Sequence, residues 1–240
     1  MTHLTTCVDA ETVARRAASE IARQLESTRA ERGVAHLALS GGSTPTRTFE
    51  LLAVEPVDWS GVEVWFADER CVAPDDAESN YRLASETLLV PAAIGSARVH
   101  RMEGELGPEE AARRYALALA EDVALRDGEL PVLDLIVLGI GPDGHVASLF
   151  PGAATLNAPQ QELCLGVHDS PKPPPERVTL SLAVLRAARR CLLLATGAGK
   201  ADAVSAMLGQ PSHHVPASLL RRERLTVIAD DAALPGPIDG

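Results

Sequence analysis

Cysteine is scarce in this chain, with four in 240 residues, and the four are scattered without a C-x-x-C pair. Neither a disulfide framework nor a zinc site is predicted, and we expect free, non-nucleophilic thiols in a reducing cytoplasm. Cys164 and Cys191 fall in apolar strand candidates and should be buried. Cys7 precedes the first helix and should be exposed. Cys71 should face away from Arg70, because adjacent strand residues point to opposite sides.

A membrane-spanning apolar run, a signal-peptide pattern and a long basic run are also missing. The first absence argues against a membrane protein and the second against secretion. The net charge of −11 argues against a nucleic-acid partner. A small anionic substrate stays possible, because a few Arg and Lys side chains in a cleft can reverse the local field.

Internal repeats and an interdomain linker are absent as well, so residues 1–240 are predicted to form one domain, with 230–240 as a loose tail. Apolar runs alternate with helical patterns, the first helix beginning near Asp9. This alternation predicts an α/β fold with a doubly wound, mainly parallel sheet and helices on both faces. A short strand is expected at 98–102.

The most informative stretch is DLIVLGIGPDGHVASLFPG, residues 134–152. Its apolar run, 133–138, is typical of a buried parallel strand, and the glycines that follow permit tight turns and close approach of a ligand. Asp143 and His145 lie in that turn, where open α/β sheets bind ligands. A short helix is expected at 146–150. The alternative is a common glycine turn with a structural histidine.

Three more polar turns follow predicted strands. Ser40-Gly41-Gly42-Ser43-Thr44 precedes a helix and is typical of a phosphate cradle without the lysine of a nucleotide P-loop. Asp68 and Arg70 follow the next strand, and Lys200 follows a later one. A helix-capping turn and a solvated charged turn are the alternatives for the first two. Four such turns at strand ends predict one active-site rim.

A proline-rich stretch, SPKPPPERV, lies after the strand candidate at 162–167. Its three consecutive prolines are stiff and exclude a helix interior. We expect it to deliver Arg177 from a rigid connection toward an anion. A surface proline loop is the alternative.

Taken together, these segments resemble the 6-phosphogluconolactonase family, whose members hydrolyse 6-phosphogluconolactone in the pentose phosphate pathway. The resemblance spans roughly residues 36–208. It is carried by SGGSTP, WFADER, ESNYRL, GIGPDGHVASLFPG, SPKPPPERVTLSL and TGAGK, in that order. It implies a modified Rossmann-type sheet, no metal, no dinucleotide and a sugar-phosphate lactone as substrate. A monomer is expected.

The resemblance also assigns roles to individual residues. His145 matches the family's general base, and Asp68 and Arg70 match the carboxylate and arginine of its D-E-R segment. The groups that match its phosphate contacts are Gly41, Gly42, Ser43, Arg177 and Lys200.

The chemistry suits these residue types. A δ-lactone is an activated ester, so one general base near neutral pKa suffices to deprotonate water, as a histidine does. Either Asp143 or Asp68 could orient His145. The oxyanion could be stabilised by the glycine turn or by Arg70.

Two alternatives are a sugar-phosphate deaminase or isomerase on the same fold, and a non-enzymatic sugar-phosphate sensor. A deaminase needs a second acid or base after the histidine, but Ser148-Leu149-Phe150-Pro151 contains no carboxylate. A sensor needs an output module, for which the chain has no spare length, and pure binding has no use for D-G-H.

Overall fold

The structure is a computed structural model that describes residues 2–126 and 130–234. The strands are β1 His3–Cys7, β2 Ala35–Leu39, β3 Val62–Phe66, β4 Asp68–Arg70, β5 Leu125–Arg126, β6 Leu130–Pro131, β7 Leu135–Gly139, β8 Cys164–Val167, β9 Arg177–Leu180, β10 Arg190–Ala195 and β11 Leu225–Asp230. The helices are α1 Ala10–Arg32, α2 Ser43–Leu52, α3 Asn80–Ala84, α4 Pro108–Asp122, α5 Leu182–Ala187 and α6 Ala201–Leu208. A π-helical turn, Ser85–Leu89, continues α3.

Six strands form a parallel sheet in the order β1-β11-β10-β7-β2-β3, flanked by helices. The inner strands are largely apolar because both faces of the sheet are covered. All five residues of β2 are buried, as are the last five of β10. The predicted α/β fold with a mainly parallel sheet is therefore confirmed.

The first helix begins where the sequence indicated. The Asp9 carboxylate accepts a hydrogen bond from the Thr12 N–H at 2.8 Å, which caps the amino end. Gly33 ends the helix in the left-handed region, and its N–H donates to the Arg29 carbonyl. Val13 and Ile21, which lie on the same side of this helix, face the core.

Strand β1 was not expected, because HLTTC lacks the apolar run of an inner strand. It pairs only with β11, as an edge strand. This pairing buries Cys7, which is 7% exposed, so the expected exposure of that thiol is wrong. Cys164 and Cys191 are buried as predicted, and Cys71 packs against the core.

A small antiparallel sheet, β4-β9-β8, accompanies the large one. The sequence placed Asp68 to Arg70 in a turn, but these residues form strand β4. Its register pairs Asp68 with Thr179 and Arg70 with Arg177. The proline-rich stretch runs directly into strand β9 and so ends in a sheet.

Three other expectations are wrong. Residues 146–150 form a tight turn instead of a helix, because Ala147 has φ of 49° and Val146 bridges to Leu149. The strand expected at 98–102 is reduced to a single bridge between Val64 and Val99. The loose tail does not begin at Asp230, which ends β11 and caps a 3-10 turn, while residues 235–240 lie outside the described part.

Candidate active site

A cleft of about 240 Å³ opens at the carboxyl ends of β2, β7 and β10, beside the small sheet. Every site residue predicted from the sequence lines it, apart from Asp143, which contacts the lining residue His145. The lining residues are Ser40, Gly41, Gly42, Ser43, Thr44, Pro45, Asp68, Arg70, Asn80, Gly139, Ile140, Gly141, His145, Ala147, Lys172, Pro173, Arg177 and Lys200.

His145 and Asp143 form a hydrogen-bonded pair, with 2.5 Å between the imidazole Nδ1 and a carboxylate oxygen. The contact leaves Nε2 as the nitrogen available to a ligand. Burial lowers the pKa of His145 below its usual value, although the charge and hydrogen bond of Asp143 work against it. Burial works to raise the pKa of Asp143, but the hydrogen bond and charge of His145 leave it below its usual value. A neutral imidazole facing an ionised carboxylate is the state of a general base.

The glycines of this turn make the pair possible. A Cβ on Gly141 would lie 2.0 Å from Nδ1 of His145 and 2.4 Å from the Asp143 carboxylate. Gly144 has φ of 84°, a conformation that favours glycine. Its carbonyl accepts a hydrogen bond from the Ala217 N–H at 3.0 Å, which ties this turn to the segment around Ala217.

Asp68 is 5% exposed and is held by neighbours other than His145. Ser148 Oγ donates to one carboxylate oxygen at 2.8 Å, and Asn80 Nδ2 and Ser40 Oγ approach the other at 3.3 and 3.4 Å. Of the two carboxylates that the sequence left as candidates to orient His145, Asp143 makes the contact.

The glycine-rich turn after β2 brings the amino end of α2 to the cleft. Gly42 precedes the helix with φ of 115°, and no side chain caps the first-turn N–H groups. Gly41 packs so tightly against Asn80 that a Cβ would lie 1.8 Å from its amide oxygen. Free N–H groups at a helix start favour an anion.

Four cations line the same cleft: Arg70, Lys172, Arg177 and Lys200. Arg70 donates to the Glu78 carbonyl through Nη1, while its buried Nε has no hydrogen-bond partner. Burial lowers the pKa of Lys200, and the nearby Lys172 lowers it further. A strongly acidic chain thus presents a cationic cleft, suited to an anionic ligand.

Sequence reasoning missed three residues that build the site. Asn80 bonds to the Asp68 carbonyl at 2.9 Å, and its only sequence signal was its place in ESNYRL. Lys172 was treated as part of a stiff connection. Asp230 was placed in the tail, yet its carboxylate accepts the Gly197 N–H at 2.9 Å and so fixes the turn that carries Lys200.

Within the described ranges, no group of three or more His, Cys, Asp and Glu side chains is placed to hold a metal ion. No helix in the same ranges has the length and apolar character needed to cross a membrane.

Comparison with known proteins places the fold and the cleft in a family. The model for glucosamine-6-phosphate isomerases/6-phosphogluconolactonase matches residues 8–229. A 6-phosphogluconolactonase of Streptomyces coelicolor is 38% identical over 237 residues, covering 94% of this chain and 90% of that protein. The human 6-phosphogluconolactonase is 41% identical over 205 residues, covering 82% and 78%.

Among solved structures, the 6-phosphogluconolactonase from Thermotoga maritima superposes with a TM-score of 0.85 at 29% identity, covering 96% of this chain and 99% of that chain. Its similarity extends over the large sheet and the small one together. With the family match over residues 8–229, the chain belongs to the glucosamine-6-phosphate isomerase/6-phosphogluconolactonase family.

Proposed function

We propose that this chain hydrolyses 6-phospho-D-glucono-1,5-lactone to 6-phospho-D-gluconate in the oxidative pentose phosphate pathway. The observation that carries the proposal is the His145–Asp143 pair in a cationic cleft, in a chain 38% identical to a curated 6-phosphogluconolactonase over most of its length. A general base and an anion site are the two features that such a substrate requires.

The attack on the lactone begins at His145. Its Nε2 takes a proton from water, the resulting hydroxide adds to the lactone carbonyl, and the carboxylate of Asp143 stabilises the imidazolium at Nδ1. Arg70 lines the cleft, and its guanidinium is the proposed donor to the oxyanion. When the tetrahedral intermediate collapses, His145 returns the proton to the departing ring oxygen.

In this proposal, the phosphate of the substrate binds at the turn after β2. The first turn of α2 offers free N–H groups and the hydroxyl of Ser43, while Gly41 and Gly42 allow the backbone to approach. Lys200 adds a positive charge at the neighbouring turn. Asp68 holds Ser148 and Asn80 in position through hydrogen bonds.

The deaminase alternative is weakened by the turn after His145. Ser148 in this turn is fully buried and its hydroxyl is bound to Asp68, so the turn itself presents no second acid or base. We further propose that the protein is a monomer and that it works in a reducing cytoplasm, the second point being supported by its four free thiols.

Activity is tested with lactone generated immediately before use, measuring acid formation above the spontaneous rate. We expect the wild type to be active and His145→Gln to lower kcat by about 10²–10⁴-fold with little change in substrate affinity. His168→Gln, which changes a half-exposed histidine outside the cleft, is the matched control. Near-normal kcat in His145→Gln would overturn the assignment of the base.

A further inference from the structure

The chain contains only two lysines among its 22 basic residues, and both line the cleft. Every other basic residue is an arginine. Within the described residues, the arginines form numerous ion pairs with carboxylates, whereas neither Lys172 nor Lys200 has an ion-pair partner. Two unpaired ammonium groups in one partly buried cleft repel each other unless an anion lies between them.

Lys172 is delivered to the cleft by a fixed loop. Its N–H donates to Ser170 Oγ at 3.2 Å, and Ser170 Oγ donates to its carbonyl at 2.8 Å. The Ser170 N–H in turn donates to the Pro175 carbonyl at 3.1 Å. These bonds close the loop on itself and define the position of the Lys172 backbone.

The guanidinium of Arg177 also holds this loop in place. Arg177 is only 5% exposed. Its Nε donates to the Pro174 carbonyl at 3.1 Å, and its Nη2 donates to the carbonyls of Lys172 and Pro173, each at 3.1 Å. Three of the five N–H donors of a guanidinium are therefore engaged by backbone. Among the described contacts, only the two N–H groups of Nη1 remain for a phosphate.

We propose that Lys172 and Lys200 together bind the substrate phosphate, and that Arg177 is a positioning residue that acts by holding the loop of Lys172. This proposal rests on the proposed function for the identity of the substrate, but the pairing of the two lysines around an anion does not. A lysine ammonium suits a phosphate as a compact point charge.

The two lysines provide a direct test that needs no activity. Reductive methylation with ¹³C-formaldehyde keeps the charge and gives one NMR signal for each lysine, assigned with Lys172→Met and Lys200→Met. Titration with inorganic phosphate should shift both signals with the same Kd. A shift of the Lys200 signal alone would overturn the role of Lys172.

Kinetics test the role of Arg177. Lys172→Met should raise KM for the phosphorylated lactone about 10- to 100-fold, the scale of one charged hydrogen bond, and should impair turnover of the phosphorylated lactone far more than that of unphosphorylated gluconolactone. Arg177→Gln should act in the same direction, and the double variant should be no worse than Lys172→Met. Losses that add in the double variant would show a direct phosphate contact by Arg177.

A conservative change sharpens the distinction. Arg177→Lys keeps the charge but cannot reach three carbonyls, so it should be as impaired as Arg177→Gln; near-normal KM would overturn the positioning role. If the Arg177 variants do not fold, Ser170→Ala loosens the same loop and should raise KM without lowering kcat. An inactive wild type would reject the proposed function, while the NMR titration would still decide on the pair.

Discussion

At the scale of single residues, the proposed role of His145 as general base predicts the pH dependence of the reaction. A general base acts only when it is unprotonated, and burial lowers the pKa of His145 below 6.5. The value of kcat/KM should therefore rise with pH, reach half its maximum below about pH 6.5 and stay level through neutrality. Measurements from acid to neutral pH, with spontaneous hydrolysis subtracted, check this. A half-point above 6.5 would contradict it.

The partner of His145 can be tested separately. The carboxylate of Asp143 raises the pKa of His145, so Asp143→Asn should move the half-point of the profile to lower pH. It should also lower kcat, because the imidazolium loses its stabilising charge. Asp169→Asn makes the same chemical change on an exposed residue outside the cleft and should leave the profile unchanged. An unshifted profile in Asp143→Asn would show that the pair is structural.

Cys71 follows Arg70 in the chain but has no part in the proposed chemistry. Burial raises the pKa of its thiol to about 12, and the carboxylates of Glu176 and Glu69 contribute in the same direction. The reactive thiolate is therefore rare at neutral pH. Cys71→Ser should keep most of the activity, and reductant should have no effect. Detection of a lactone-derived acyl group on Cys71 by mass spectrometry would show a covalent mechanism in place of direct attack by water.

At the scale of elements, the turn after β7 determines whether the pair of His145 and Asp143 can form. Gly141→Ala places a Cβ 2.0 Å from Nδ1 of His145, so the ring must move away from Asp143. We expect a folded protein with kcat reduced at least as much as in Asp143→Asn. Gly95→Ala is the control, since its Cβ meets nothing within 4 Å and its φ is −65°. Full activity of Gly141→Ala would mean that the observed pair is not needed.

The elements that could be predicted from the sequence are those whose pattern is independent of distant partners. The buried inner strands β2, β7 and β10 are largely apolar, and α1 has a cap and a clear period of apolar residues. Strand β1 could not be predicted, because its polar residues become a strand only by pairing with β11.

The site residues also divide into those that the sequence reveals and those that it does not. Glycines and charged groups directly after apolar runs revealed most of the cleft, because the carboxyl ends of parallel strands meet at one edge. The position of Lys172 depends on a guanidinium bonded to three carbonyls, and a linear sequence does not show such contacts. The turn at Ala147 was mistaken for a helix because its left-handed backbone has no glycine to mark it.

At the scale of the whole molecule, buried histidines link stability to pH. His36 is 8% exposed, its Nδ1 accepts the Trp65 indole N–H at 3.1 Å, and burial lowers its pKa. The unfolded chain then binds more protons than the folded one just below pH 6.5. The stability that neutral His36 contributes is full above that pH and is lost as pH falls through the lower folded pKa.

The corresponding experiment is urea unfolding of wild type and His36→Gln between about pH 7 and pH 5. The free energy of unfolding should fall less with acid in the variant than in the wild type. His213→Gln, at an exposed position, should behave as the wild type. Identical slopes for wild type and His36→Gln would show that other groups carry the acid sensitivity.

The pairing of β1 with β11 has a consequence for folding during translation. Strand β1 is synthesised before β11, its neighbour in the sheet, to which it is joined from His3–Thr226 to Cys7–Asp230. Until β11 is made, β1 lacks the strand with which it pairs, whereas β2, β3 and β7 are neighbours that can already assemble. The same late strand brings Asp230, which fixes the turn of Lys200. Synthesis of β11 therefore supplies both the sheet partner of β1 and the carboxylate that fixes the turn of Lys200.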